Sequence, residues 1–410
     1  MAHVLLVGEG PLPRLHNGTW RYDDSDATST AFAQLRAHQV HAALLADGHV
    51  VTFLDARDVV TEGWRARWRL TRRAELHPPT VVVSAGTWVP VRVAPALAGD
   101  RPLCVDLPGD PFADAQAAIH APGSAAANAG TDAASGAAAT LFVAALRRGD
   151  AFTTIGGPSR HALLGQLGVL GRLARTTPGD EQVHVTPIAC AFPGLPAPRR
   201  GSGGEEDPPA PLRIALFGGF NTWLDEEATA RGLLLALDRA PFEVTVIGGP
   251  IPGHHEAGYA RFRARVESSR HAASFMWRPR LDPEDLAEVL DAADATCWTD
   301  GPGAEPELGS RTRALLAAWR GVHVVATARG ELMRELVRDG YASVVLWEGD
   351  RAAGLADALV ALNLPRLRAT RGNTEILTTT YGIDATTRGL RAWVADARVS
   401  PTRLRMGRGW

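Results

Sequence analysis

The sequence predicts an α/β protein of two halves, each a parallel sheet with helices on both faces. Three observations carry that prediction: chain length, alternating strand and helix periodicity, and one Pro/Gly-rich break near the middle. At 410 residues the chain is too long for one ordinary core and suits two domains of about 200 residues. Short runs of Val, Ile and Leu alternate with helical patterns, as in strand–helix–strand units whose strands pair in parallel. Over 191–211 the sequence reads AFPGLPAPRRGSGGEEDPPAP. Apolar periodicity vanishes there, as in a flexible connection.

In the first half, 1–190, strands are expected at 3–7, 50–54, 81–84, 103–105, 151–155 and 183–188. A helical pattern over 27–47 has Ser25 or Asp26 as cap and Gly48 as stop. The Ala-rich stretch 123–145 reads as a loop leading into a helix. The second half, 212–380, repeats the alternation with LRIALFGG, FEVTVIGG, ATCW, VHVVAT and ASVVLW. A segment 381–410 follows, with a helix expected at about 384–398. Both halves look Rossmann-like. Ligands of such sheets bind at the carboxyl ends of the strands, and two sheets facing each other would make a cleft suited to a ligand.

Composition excludes several classes of function. A hydrophobic share of 45% with 21% charge is that of a globular protein. A net charge of −2 gives no reason to expect nucleic acid or an anionic membrane surface as partner. No apolar run reaches the roughly 18 residues a membrane span needs. The opening MAHVLLVGEG lacks a basic n-region and reads as a first strand rather than a signal peptide. Cys104, Cys190 and Cys297 lie in apolar surroundings, as buried reduced thiols of a cytoplasmic protein do. The absence of a CxxC or of clustered Cys and His argues against a metal site. All 43 basic residues besides histidine are arginine. The lack of lysine removes Schiff-base chemistry and the phosphate-binding lysines of P-loops and kinases.

The stretch EPELGSRTRALLAAWRG, 305–321, is the most informative. A loop with Glu305 and Glu307 leads through Ser310 to Arg311, Thr312 and Arg313, which open a helix. Unpaired N–H groups and the positive end of the dipole favour an anion there, and guanidinium forks suit a phosphate or diphosphate. The plain alternative is an arginine pair neutralised by Glu305 and Glu307. After a strand, Gly218 and Gly219, followed by Asn221, allow close backbone approach to a ligand or simply a tight turn. Gly8-Glu9-Gly10-Pro11 repeats the device in the first half. It leads into a polar segment with His16 and Asn17 that either lines a ligand cleft or is a surface excursion. Asp106 and Asp110 end a further strand. Each could act as a general base, bind hydroxyls, or form an ordinary turn. His254 and His255 read as solvated loop histidines rather than metal ligands. The basic run 65–73, with Trp64 and Trp68, reads as an amphipathic helix packing its tryptophans. No G-x-S-x-G elbow is present, nor a full GxGxxG with its downstream acid.

Together these residues resemble bacterial GT-B glycosyltransferases near the large family-4-like group. Within it, they resemble a subgroup whose signature runs roughly E-T-R-F-S-F-R-T-R before a helix ending W-A-G. Glu305 takes its first position, Ser310 lies beside its inner serine, Arg311-Thr312-Arg313 match its end, and Trp319 and Gly321 match the W and G. Gly218, Gly219, Trp223 and Asp225 reproduce its G-G-x-x-x-W-x-D turn. Asp106-Leu107 with Asp110-Pro111-Phe112 is similar to its D-L-Y-D-P-F element. Leu164-Gly165 through Gly171-Arg172 is similar to its L-G-x-L-x-x-x-G-R segment. The second glutamate of the usual family-4 pattern is missing, and so is the lysine that often holds donor phosphates.

The resemblance implies a GT-B architecture whose C-terminal helix packs on the first domain. It implies transfer of a sugar from a nucleotide diphosphate sugar to a small-molecule acceptor, without metal or other cofactor, by a cytoplasmic monomer or homodimer. Donor binding would fall to Gly218, Gly219, Asn221, Arg278, Glu305, Glu307, Ser310, Arg311, Thr312, Arg313 and Glu331. The acceptor side would comprise Gly10, His16, Asn17, Asp106 and Asp110, with Asp110, Arg311 and Arg313 catalytic. The composition, that of a G+C-rich genome, suits natural-product biosynthesis. The alternatives are a sugar-nucleotide epimerase, a pseudo-glycosyltransferase, or an inert partner of the same fold.

Overall fold

The computed structural model describes residues 1–16, 19–21, 32–62, 79–123, 132–175, 182–198, 211–250, 255–362, 367 and 374–406. The chain divides into two compact units, Met1–Pro111 with Gly136–Gly194 and Thr379–Trp410, and Phe112–Ser135 with Leu195–Thr378. Residues 112–135 therefore group with the second unit, although they precede the Pro/Gly-rich break.

The first unit holds β1 (His3–Gly8), β2 (Arg14–His16), β3 (Thr19–Arg21), β4 (Val50–Asp55), β5 (Val81–Ser84), β6 (Leu103–Asp106), β7 (Ala151–Thr154) and β8 (Val183–Val185). Six strands form a parallel sheet in the order β4-β1-β5-β6-β7-β8. Every residue of β5, β6 and β7 is buried, which is why none of them alternates between apolar and polar residues. β2 and β3 pair antiparallel as a hairpin, where the sequence suggested an irregular segment. The helix Phe32–Ala46 ends two residues before Gly48, whose φ of 74° is the left-handed stop glycine readily adopts. The cap positions 25 and 26 lie outside the described residues, as do 65–73. The single helix expected at 384–398 is instead two, Ile383–Thr386 and Arg388–Ala395. Leu390 and Val394 of the second pack with Val4, Leu6, Val40 and Leu44.

The second unit holds β9 (Leu212–Phe217), β10 (Phe242–Gly248), β11 (Phe275–Pro279), β12 (Ala295–Trp298), β13 (His323–Thr327) and β14 (Ala342–Val345). They form a sheet in the order β11-β10-β9-β12-β13-β14, with every pairing parallel. β11 was not expected: it is an edge strand with Met276 and Arg278 exposed, so its apolar signal is diluted. Ile214, Leu216, Cys297 and Val325 build the core under the helices Glu226–Leu237 and Arg351–Val360. Those helices approach closely at Gly232, where a Cβ would lie 2.8 Å from the Leu355 side chain. Strand order reverses between β9 and β12. In a doubly wound sheet this is where a crevice opens at the carboxyl ends of the strands. No helix among the described residues is long and apolar enough to cross a membrane.

Candidate functional site

The loops after β9 and β12 meet at this reversal and are stitched together through their backbones. The Gly301 N–H donates to Trp223 O at 2.6 Å, and the Asp225 N–H to Thr299 O at 2.9 Å. Asp225 also caps the helix Glu226–Leu237, accepting from the Ala228 N–H at 2.9 Å. Arg351 clamps both loops, donating to Asp225 at 2.6 Å and to the Asp300 carbonyl at 2.9 Å. Gly218 is exposed at the end of β9, with a φ of 89° that a side chain would strain.

The two arginines that the sequence treats as a pair part company. Arg311 caps the start of the helix Thr312–Trp319 and is 3% exposed. Its Nη1 and Nη2 meet the two Glu305 oxygens at 3.1 and 2.8 Å, and its Nε donates to Asp300 at 3.1 Å. Nη2 also lies 3.0 Å from Asp300, and Nη1 donates to Ser310 O at 3.3 Å. The guanidinium thus donates four hydrogen bonds within this loop. Burial pulls the Arg311 pKa down, but Asp300 and Glu305 more than offset this and hold it above the usual value. Asp300 is fully buried and also bonds the Thr327 hydroxyl. Arg311 thus holds the loop together, its charge spent on Asp300 and Glu305 rather than turned to the pocket. Glu305 orients Arg311 with both of its oxygens.

Arg313 turns the other way. Its Nη2 donates to Gly219 O at 2.7 Å, and its guanidinium carbon lies 5.9 Å from the centre of the Trp298 ring. No carboxylate pairs with it among the described residues. Burial first, and Arg311 second, push its pKa down to about 10, so it remains charged at neutral pH. With Gly218, Phe220, Thr229 and Trp298 it lines a pocket in the crevice. The arrangement is that of a desolvated cation waiting for an anion.

The remaining donor-side candidates are spread around this point. Glu307 accepts from Arg334 at 2.7 Å and from the Gly330 N–H at 3.4 Å. Burial raises its pKa, but these bonds and Arg329 outweigh that and bring it below the usual value. Ser310 and Thr312 hydroxyls are 3.3 Å apart at the helix start. Asn221 lies in the loop after β9, where its carbonyl accepts from the Leu224 N–H at 3.0 Å. Glu331 opens the helix Glu331–Arg338. Arg278 is exposed on β11, two strands from β9. Sequence reasoning missed Asp300, Thr327 and Trp298. The only signal for them is a polar residue or tryptophan placed where a buried strand ends.

In the first unit, Asp106 lies in the core. It is 2% exposed, and Arg36, fully buried, donates to its two oxygens at 2.8 and 2.9 Å. The Thr153 hydroxyl and Gly86 N–H complete its shell at 2.5 and 3.2 Å. Asp106 is a core ion pair with no oxygen free for an acceptor. Asp110 is half-buried and accepts from Gln166 at 2.7 Å. The Gly10 N–H donates to Asp55 at 3.1 Å, and its carbonyl accepts from Gln34 at 3.0 Å. His16 belongs to β2, while Asn17 lies outside the described residues, as does His254. His255 is not solvated: it is 5% exposed and sits 2.9 Å from Arg261. No group of three or more His, Cys, Asp or Glu side chains suited to a metal occurs among the described residues.

No family profile matches the chain, and no curated protein does. Solved structures do. Sucrose-phosphate synthase from Thermosynechococcus elongatus superposes with a TM-score of 0.61 at 14% identity, covering 99% of this chain and 98% of that one. Trehalose-6-phosphate synthase OtsA gives 0.60 at 11%, covering 96% and 98%. Anabaena HepE in complex with UDP-glucose gives 0.58 at 12%, covering 97% and 100%. Likeness at this level of identity establishes architecture, and the chain, with its two six-stranded parallel sheets, has the fold of GT-B glycosyltransferases.

Proposed function

We propose that this protein is a glycosyltransferase that moves a sugar from a nucleotide diphosphate sugar to a small hydroxyl- or amine-bearing acceptor. The observation that carries the reading is Arg313, a half-buried cation without a carboxylate partner among the described residues, beside Gly218 and Gly219 at the switch point. As the glycosyl bond breaks, negative charge grows on the departing diphosphate. Arg313 and the N–H groups opening the helix Thr312–Trp319 are placed to receive that charge without a metal. One preorganised donor of this kind is typically worth about 3 kcal/mol in the transition state. Gly218 leaves room for the phosphates, since even an added Cβ would meet the Arg313 guanidinium at 3.7 Å. On the acceptor side, Asp110 is the carboxylate we assign as general base. Natural-product biosynthesis is the context that we infer from composition.

HepE is described in complex with UDP-glucose, which makes UDP the first nucleotide to try. The test is calorimetric titration with UDP, GDP and dTDP, with and without EDTA, on the wild type and on Arg313→Gln. Micromolar binding of one nucleotide, indifferent to EDTA and weakened at least tenfold in the variant, is the expected result. Failure of all three to bind the folded protein would overturn the reading.

A further inference from the structure

We propose that the indole N–H of Trp298 donates a hydrogen bond to a phosphate oxygen of the nucleotide diphosphate, beside the Arg313 guanidinium. The inference rests on the donor-site reading above and adds a residue to it. Trp298 ends β12 and is 3% exposed, yet its Nε1 has no hydrogen-bond partner. An indole N–H can only donate, and buried donors in native proteins are almost always paired. An orphan of this kind in a pocket wall points to an acceptor that arrives with a ligand.

The carboxylates of this chain nearest the pocket are already committed. Asp300 and Glu305 hold Arg311, and Glu226, which also lines the pocket, accepts from Arg261 at 2.9 Å. Arg313 also lines the pocket, lies over the same indole and brings a positive charge with no carboxylate partner among the described residues. An orphan donor next to an unpaired cation selects an anionic oxygen over a sugar hydroxyl, because a hydroxyl would leave the cation uncompensated.

Trp298→Phe keeps an aromatic face under Arg313 and removes the N–H together with part of the indole's volume. The indole proton–nitrogen resonance of Trp298, assigned by its loss in that variant, is followed while UDP or uridine is added to the wild type. The expected result is a shift with UDP and none with uridine, and a UDP affinity roughly tenfold or more weaker in Trp298→Phe. A wild type that binds UDP with the resonance unmoved and the variant affinity unchanged overturns this assignment and leaves the donor site standing. A resonance that moves equally with uridine also overturns it, placing the ribose rather than a phosphate at the indole. Absence of binding by UDP, GDP and dTDP overturns both. Should Trp298→Phe not fold, the thermal melt of the variant reveals it, and assignment by elimination among the remaining tryptophans lets the wild-type resonance decide.

Discussion

Replacing Arg311 or Arg313 should have opposite consequences, although the sequence presents them as equivalent. Arg311→Leu removes the cation paired with Glu305, which is 4% exposed and loses both of its guanidinium bonds. Asp300, fully buried, loses two more contacts and keeps the Thr327 hydroxyl. Removing one partner of a buried ion pair typically costs about 3–5 kcal/mol, because the other charge is left without compensation. For a domain of this size that lowers the melting temperature by roughly 6–20 °C. Arg313→Gln removes a cation whose pKa burial already depresses. Its stability should stay within about 1 kcal/mol of wild type while nucleotide binding falls. Differential scanning calorimetry and isothermal titration on the two variants read both quantities. A cycle adding Glu305→Leu to Arg311→Leu should recover part of the loss, since residues in one ion-pair network couple by about 0.5–3 kcal/mol. The argument fails if Arg311→Leu melts like wild type, or if Arg313→Gln melts as low as Arg311→Leu is expected to.

Three further outcomes follow from the same structure. Gly309→Ala would place a Cβ 1.9 Å from a Glu305 carboxylate oxygen, so it should destabilise by about 3 kcal/mol, less than additively with Arg311→Leu in urea unfolding. Asp106→Asn should cost the first unit about 3–5 kcal/mol by leaving the buried Arg36 without its counter-charge, with nucleotide affinity unchanged by calorimetry. Burial and then His41 push the His38 pKa down to about 3. The unfolded chain therefore binds the extra proton first, and the contribution is intact above about pH 6.5. It is lost at about 1.4 kcal/mol per pH unit as pH falls from there toward 3. His38→Leu should flatten that part of the stability–pH profile measured by urea unfolding.

What could be read in advance follows physical lines. Strands buried on both faces, such as 81–84 or 323–327, announce themselves as unbroken apolar runs. The edge strand β11, with Met276 and Arg278 facing solvent, does not. The β2–β3 hairpin is three residues a side, too short for any period to show. Spacing marked 305–313 as a charged helix entrance but could not divide the labour between its arginines. Arg311 sits at the cap with non-helical backbone and Arg313 within the first turn, so the two leave the chain in different directions, one to the core and one to the crevice. Which of them would do so depended on Asp300, and an aspartate in Thr-Asp-Gly-Pro reads as a turn. Asp106 poses the same difficulty: its partner Arg36 lies 70 positions away in sequence, inside an apolar helix where no local rule predicts a buried cation.

The ties that hold the loop from Asp300 to Arg311 bear on the speed of ligand capture as well as on its strength. Arg311 grips the loop at Asp300 and Glu305, Gly301 is fixed to Trp223, and Glu307 is anchored to Gly330 and Arg334. The entropy of ordering this wall is lost when the chain folds, not when a nucleotide arrives. Association should then be a single bimolecular phase without a slow isomerisation. Sequence changes that loosen those ties would slow capture even where they leave every ligand-touching group in place.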